Sequence, residues 1–122
     1  RIEFKGFVEG EALRELYCAS DAFILPTRED CFGLVILEAM CASLPVISSK
    51  YADGAKDLLA DGENGYIVDP EDTEAFAETI DRMFAEGKLA QMGACSYERA
   101  QAFSFAHVAE GCIGALRYVL GE

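Results

Sequence analysis

Two carboxylates frame the most apolar stretch of the chain. Asp30 stands just before the run CFGLVILEAMCASLPVIS, residues 31 to 48, and Glu38 interrupts it. A buried, unpaired charge costs several kcal/mol, so Glu38 must reach solvent or meet something polar. Acids eight residues apart can bracket a helix start and accept hydrogen bonds from sugar hydroxyls. The free N–H groups of that first turn, with the positive end of the helix dipole, make a site for an anion such as a phosphate. Glu38 can accept two hydroxyls of a ribose, as an acid does in other nucleotide-binding folds. Taken alone, Glu38 fits a solvent-facing helix position equally well, Asp30 fits an N-cap, and Gly33 fits close packing of helix on strand.

The elements around this run alternate. RIEFKGFV reads as a strand with its exit loop. EGEALRELYCAS places Ala12, Leu13, Leu16 and Tyr17 at helical spacing. DAFILPT is a short apolar run ending at Pro26, which predicts a buried strand. After the charged loop REDC, FGLVILEAMCAS predicts a helix apolar nearly all round, and therefore buried. LPVISS is a second buried strand. GAKDLLADG predicts a short helix closed by Gly62, and ENGYIVDP a strand after an Asn-Gly turn. EDTEAFAETIDRMFAEG, KLAQMGACSYERAQAF and SFAHVAEGCIGALRYVL follow as helices. Strands alternating with helices predict an α/β fold, a Rossmann-like parallel sheet with helices on both faces. Ligands of such sheets sit beyond the carboxyl ends of the strands. The loop PTREDCFG lies at one such end.

Composition narrows the partners. The chain has 122 residues, 52% of them hydrophobic, enough for one packed domain. A net charge of −12 argues against nucleic acid or an anionic membrane as a direct partner, since both need basic patches. Cys18, Cys31, Cys41, Cys95 and Cys112 are scattered singly, without a CxxC pair, and His107 is the one histidine. That pattern predicts buried free thiols in a reducing, cytoplasmic setting, with no metal site and no disulfide framework. The run at 32 to 48 is too interrupted for a membrane span. The Arg1 start suggests a piece of a longer chain. His107, Met40, Met83 and Met92 read as core or surface residues without a chemical role.

PTREDCFGLVILEAMCASLPVISS closely resembles the signature of retaining GT-B glycosyltransferases of family GT4. That signature is a Glu, seven residues and a second Glu, within an aliphatic Leu-Glu-Ala-Met context followed by Pro-Val-Ile. FKGFVEGEALRELYCASDAFILPT before it and ADGAKDLLADGENGYIVDPEDTEAFAETI after it resemble the same family. The resemblance implies that residues 1 to 122 are the carboxyl-terminal part of a GT-B nucleotide-sugar-binding domain. It implies a nucleoside-diphosphate sugar as ligand, with Glu38 on the ribose hydroxyls. The first acidic position falls on Asp30, one carbon shorter than Glu, with Glu29 adjacent. Backbone N–H groups of Cys31, Phe32, Gly33, Leu34 and Val35 would meet sugar and diphosphate, and Phe7 and Val8 would lie near the base. Ser43 stands where the family usually has Gly.

By the same resemblance, the diphosphate-neutralising Arg and Lys precede this segment. The acceptor, a glycan or lipid-linked molecule, binds through the amino-terminal domain, and the enzyme is cytoplasmic or membrane-peripheral. No cofactor or metal is implied, and the exposed apolar sheet surface left by the missing strands would favour a homo-oligomer. Two other classes are weighed. A non-catalytic interaction module would keep the fold without a donor, and the Asp30 substitution allows it. A phosphoacceptor receiver needs an acidic pair after its first strand, which FKGFVEG does not offer.

Overall fold

A computed structural model describes residues 1–121. Six α-helices and three strands succeed one another: α1 Gly10–Cys18, β1 Phe23–Leu25, α2 Leu34–Cys41, β2 Val46–Ser49, α3 Ala55–Leu58, β3 Gly65–Val68, α4 Thr73–Ala85, α5 Leu89–Ala100 and α6 Phe105–Leu120. A 3-10 turn, Gln101–Phe103, joins α5 to α6. The strands form a parallel sheet in the order β1-β2-β3. Val46 pairs with Phe23 on one side and Gly65 on the other.

Alternation along β2 splits the core into two layers. Val46 packs with Ile36, Ala39, Met40 and Leu58, from α2 and α3. Its neighbour Ile47 packs with Tyr66, Met83 and Met92, from β3, α4 and α5. Because β2 is covered on both faces, all four of its residues are buried. This is the α/β architecture expected from the alternation, with helices on both faces of a Rossmann-like parallel sheet.

Local chemistry sets the element ends. Asp72 accepts from the amide of Ala75 at 3.0 Å and starts α4, and Ser104 accepts from the amide of His107 and starts α6. Asn64 is fully buried, yet every part of it is satisfied. Its side-chain oxygen accepts from the amide of Ala60 at 2.7 Å, and its side-chain nitrogen donates to the carbonyl of Leu58 at 3.3 Å. Its own carbonyl accepts from the amide of Val46 and the hydroxyl of Ser96.

Several expectations are corrected. Residues 1–8 form no strand, and Ile2, Phe4 and Phe7 are exposed. A strand needs a hydrogen-bonding neighbour, and among the described residues none lies beyond β1. Strand β1 is therefore an edge, half-buried instead of buried. Helix α3 ends at Leu58, four residues before Gly62, because Asn64 and Arg99 take the Leu58 carbonyl. The chain turns over 61–64 and Gly65 already belongs to β3, so Asn64-Gly65 is not the turn. Helix α2 is not uniformly buried, since Leu34 and Glu38 face outward. The five cysteines are free, but four are exposed and only Cys95 is partly covered. Helix α6 buries no residue at all.

Candidate functional site

The loop 26–33 leaves the carboxyl end of β1, and the loop 50–54 leaves that of β2. The two are zipped together. The amide of Asp30 donates to the carbonyl of Tyr51, and the amide of Asp53 donates to the carbonyl of Asp30, both at 3.2 Å. Gly54 presses on the same loop, where an added Cβ would stand 2.1 Å from the carbonyl oxygen of Phe32. Thr27 holds Glu29 by donating its hydroxyl to the Glu29 carbonyl at 2.9 Å. The loop is thus fixed by backbone contacts on both sides.

Asp30 does not cap α2. Its carboxylate accepts from the amide of Phe32 at 3.0 Å and closes a local turn. The N-cap is Gly33, in the left-handed region at φ 81°, with no side chain bonded to the helix start. A non-glycine residue is strained at that angle. The consequence is an uncapped helix end. Of the five amides singled out in the sequence, that of Phe32 is committed to Asp30. Those of Cys31, Gly33, Leu34 and Val35 have no protein acceptor among the described residues. Leu34 and Cys31 are exposed, Phe32 and Val35 half-buried, and Gly33 buried.

Glu38 lies one turn further, the fifth residue of α2. It resolves its awkward place in the apolar run in two ways. It is exposed, and its Oε2 accepts a hydrogen bond from the hydroxyl of Tyr17 on α1 at 3.1 Å. Tyr17 packs on Phe23 of β1 with ring centroids 5.8 Å apart. Burial, and then the bond to Glu38, pushes its phenol up to about 12. Glu38 and Tyr17 line a groove of about 590 Å³ between α1 and α2, with Leu13, Arg14, Leu37 and Cys41.

The cations Arg28 and Lys50 at this edge of the sheet are paired. Arg28 reaches Glu71 at 3.9 Å, and Lys50 bonds Asp69 at 2.5 Å while standing 4.9 Å over the Tyr51 ring. The hydrogen bond from Lys50, then the amide of Glu71, lowers the Asp69 pKa, and the bond to Asp69 raises that of Lys50. Phe7 is exposed and Val8 half-buried, both outside any helix or strand. Among the described residues no group of three potential metal ligands comes together, and no helix is long and apolar enough to cross a membrane.

Tyr17 is the residue that sequence reasoning passed over, as one more member of an apolar helix face. Its hydroxyl was the available signal, because a half-buried tyrosine needs a polar partner. Lys50 was passed over too, and nothing in its local sequence marks its pairing with Asp69.

Comparison with known proteins identifies the family and the fold. The family described as glycosyl transferases group 1 matches residues 1–98. The D-inositol 3-phosphate glycosyltransferase of Acidothermus cellulolyticus is 31% identical over 112 residues, which are 92% of this chain and 25% of that protein. The chain thus spans about a quarter of the length of that relative. The structure of sucrose-phosphate synthase from Thermosynechococcus elongatus superposes with a TM-score of 0.84 at 31% identity, over 99% of this chain and 31% of that one. The pneumococcal O-GlcNAc transferase GtfA, solved with UDP and GlcNAc, superposes with a TM-score of 0.79 at 26% identity, over 98% of this chain and 24% of that one. The chain belongs to the glycosyl transferases group 1 family, and its sheet and helices are a portion of that family's GT-B fold.

Proposed function

We propose that the chain is the carboxyl-terminal part of the donor-binding domain of a retaining glycosyltransferase. The whole protein would move a sugar from a nucleoside-diphosphate sugar to a glycan or lipid-linked acceptor. One observation carries the reading: α2 offers an uncapped N-terminus with unclaimed amides and, one turn on, an exposed carboxylate. The amides of Cys31, Gly33, Leu34 and Val35 suit the diphosphate and sugar, and Glu38 suits the ribose. The first acidic contact to the sugar falls to the second oxygen of Asp30 or to the exposed Glu29. The UDP-bound relative supports a nucleotide at this fold.

In this reading the catalytic groups and the acceptor site belong to the rest of the protein, which works in the cytoplasm or at a membrane surface. The chain's own part is to bind and orient the donor. Arg28 and Lys50 are already paired with Glu71 and Asp69. Neutralising the diphosphate therefore falls mainly to the helix end and to basic groups elsewhere in the protein.

The test is calorimetric titration of the full-length protein with UDP, GDP and ADP, before and after Glu38→Ala. Hydrogen bonds to a charged group contribute about 1.5–3 kcal/mol, so binding should weaken about ten- to a hundredfold. Unchanged affinity would refute the ribose role.

A further inference from the structure

We propose that Tyr17 is a positioning residue for Glu38, holding one carboxylate oxygen so that the other is presented to the ribose. The inference rests on the reading of Glu38 as the ribose acceptor.

A glutamate on an open helix face samples many rotamers, and a ligand that needs one of them must order the rest. Glu38 is exposed, and among the described residues Tyr17 is the side chain that bonds it. Tyr17 is well suited to hold it. A tyrosine has two side-chain torsions, and here the ring is half-buried against the α2 layer of the core and tilted 52° onto Phe23. Its hydroxyl is thereby referenced to β1, the strand from which the loop 26–33 departs. The bond occupies Oε2 and leaves Oε1 open. A carboxylate oxygen accepts more than one hydrogen bond, so Oε2 keeps capacity as well. The phenol, pushed up to about 12, remains a donor throughout the neutral range.

Two bland roles compete with this one. One makes Tyr17 a strut between α1 and α2, the other a placeholder that the ligand displaces. Tyr17→Phe keeps the ring and deletes the hydroxyl, so it separates them. In the full-length protein, UDP, GDP and ADP and the 2′,3′-dideoxy form of whichever binds best are titrated calorimetrically. The set is wild type, Tyr17→Phe, Glu38→Ala and the double variant. The expected result is a loss of about three- to tenfold for the ribonucleotide in Tyr17→Phe, the worth of one hydrogen bond. The dideoxy nucleotide should bind Tyr17→Phe and wild type alike, and Tyr17→Phe should cost nothing further on Glu38→Ala. Equal losses on both nucleotides, an additive double variant, or no loss in Tyr17→Phe would each overturn the positioning role. If Glu38→Ala itself binds unchanged, the ribose reading falls first. If Glu38→Ala weakens binding and Tyr17→Phe does not, the positioning role alone falls.

Discussion

Gly54 supports the carbonyl of Phe32 so closely that no side chain fits between them: a Cβ would stand 2.1 Å from that oxygen and 2.7 Å from the Phe32 ring. Gly54→Ala must push the loop 26–33 away from the loop 50–54. Overpacking of this kind costs about 1–3 kcal/mol. Urea denaturation should show a lower midpoint, and nucleotide titration a weaker affinity. Unchanged values in both would mean that the two loops can part without cost.

Ser43 is the one non-glycine residue at positive φ among the described residues, at 60°. It follows the C-cap of α2. Its amide donates to Met40 and that of Leu44 donates to Ala39, the paired bonds of a Schellman motif whose C′ position favours Gly. The family habit of Gly at this position thus has a conformational reason. Ser43→Gly should stabilise the chain by about 0.5–1 kcal/mol, since left-handed backbone costs most residues somewhat more than the chain entropy glycine adds. Thermal melting checks it, and a lowered midpoint would count against the explanation.

Asn64→Leu removes a buried amide that ties the turn 61–64 to α3. The amide of Ala60 loses its acceptor, while the Leu58 carbonyl keeps Arg99. One buried donor left unsatisfied costs about 1–3 kcal/mol. The denaturant midpoint should fall with its slope unchanged. A neutral result would show that water reaches Ala60.

The Lys50–Asp69 pair sets a pH window. The Asp69 pKa is lowered from 3.8, so its stabilising effect is present above that value and is lost as pH falls through the lowered one. The Lys50 pKa is raised from 10.5, so its effect is present below that value and is lost as pH rises through the raised one. Asp69→Asn should therefore lower the melting temperature slightly between these limits, and the difference should vanish in strong acid. Lys50 is exposed and Asp69 half-buried at the surface, so added salt should shrink the effect. A difference that persists in strong acid would assign it to packing.

Unbroken apolar runs bounded by Gly, Pro and charged residues made α2 and β2 legible, and amphipathic spacing made α4 legible. Residues 1–8 misled. Their apolar content suits a strand, yet strand formation is decided by a neighbour that local sequence does not contain. Asn64-Gly65 misled because two residues common in turns serve here as a buried amide and a strand start. At the site, the acids and the helix start were legible. The spending of Asp30 on Phe32 and the bond from Tyr17, 21 residues away from Glu38, depend on loop conformation and tertiary packing.

Helix α6 is 16 residues long and buries none of them. Its amides and those of β2 should therefore report different free energies in hydrogen exchange. Exchange in β2 waits for the opening of the whole core, whereas exchange in α6 follows the helix–coil equilibrium of a segment only slightly longer than the marginal length for an isolated helix. This burial pattern predicts two cooperative units of unequal depth in the chain, so that loss of the shallower one should leave the unfolding midpoint of the deeper one where it was.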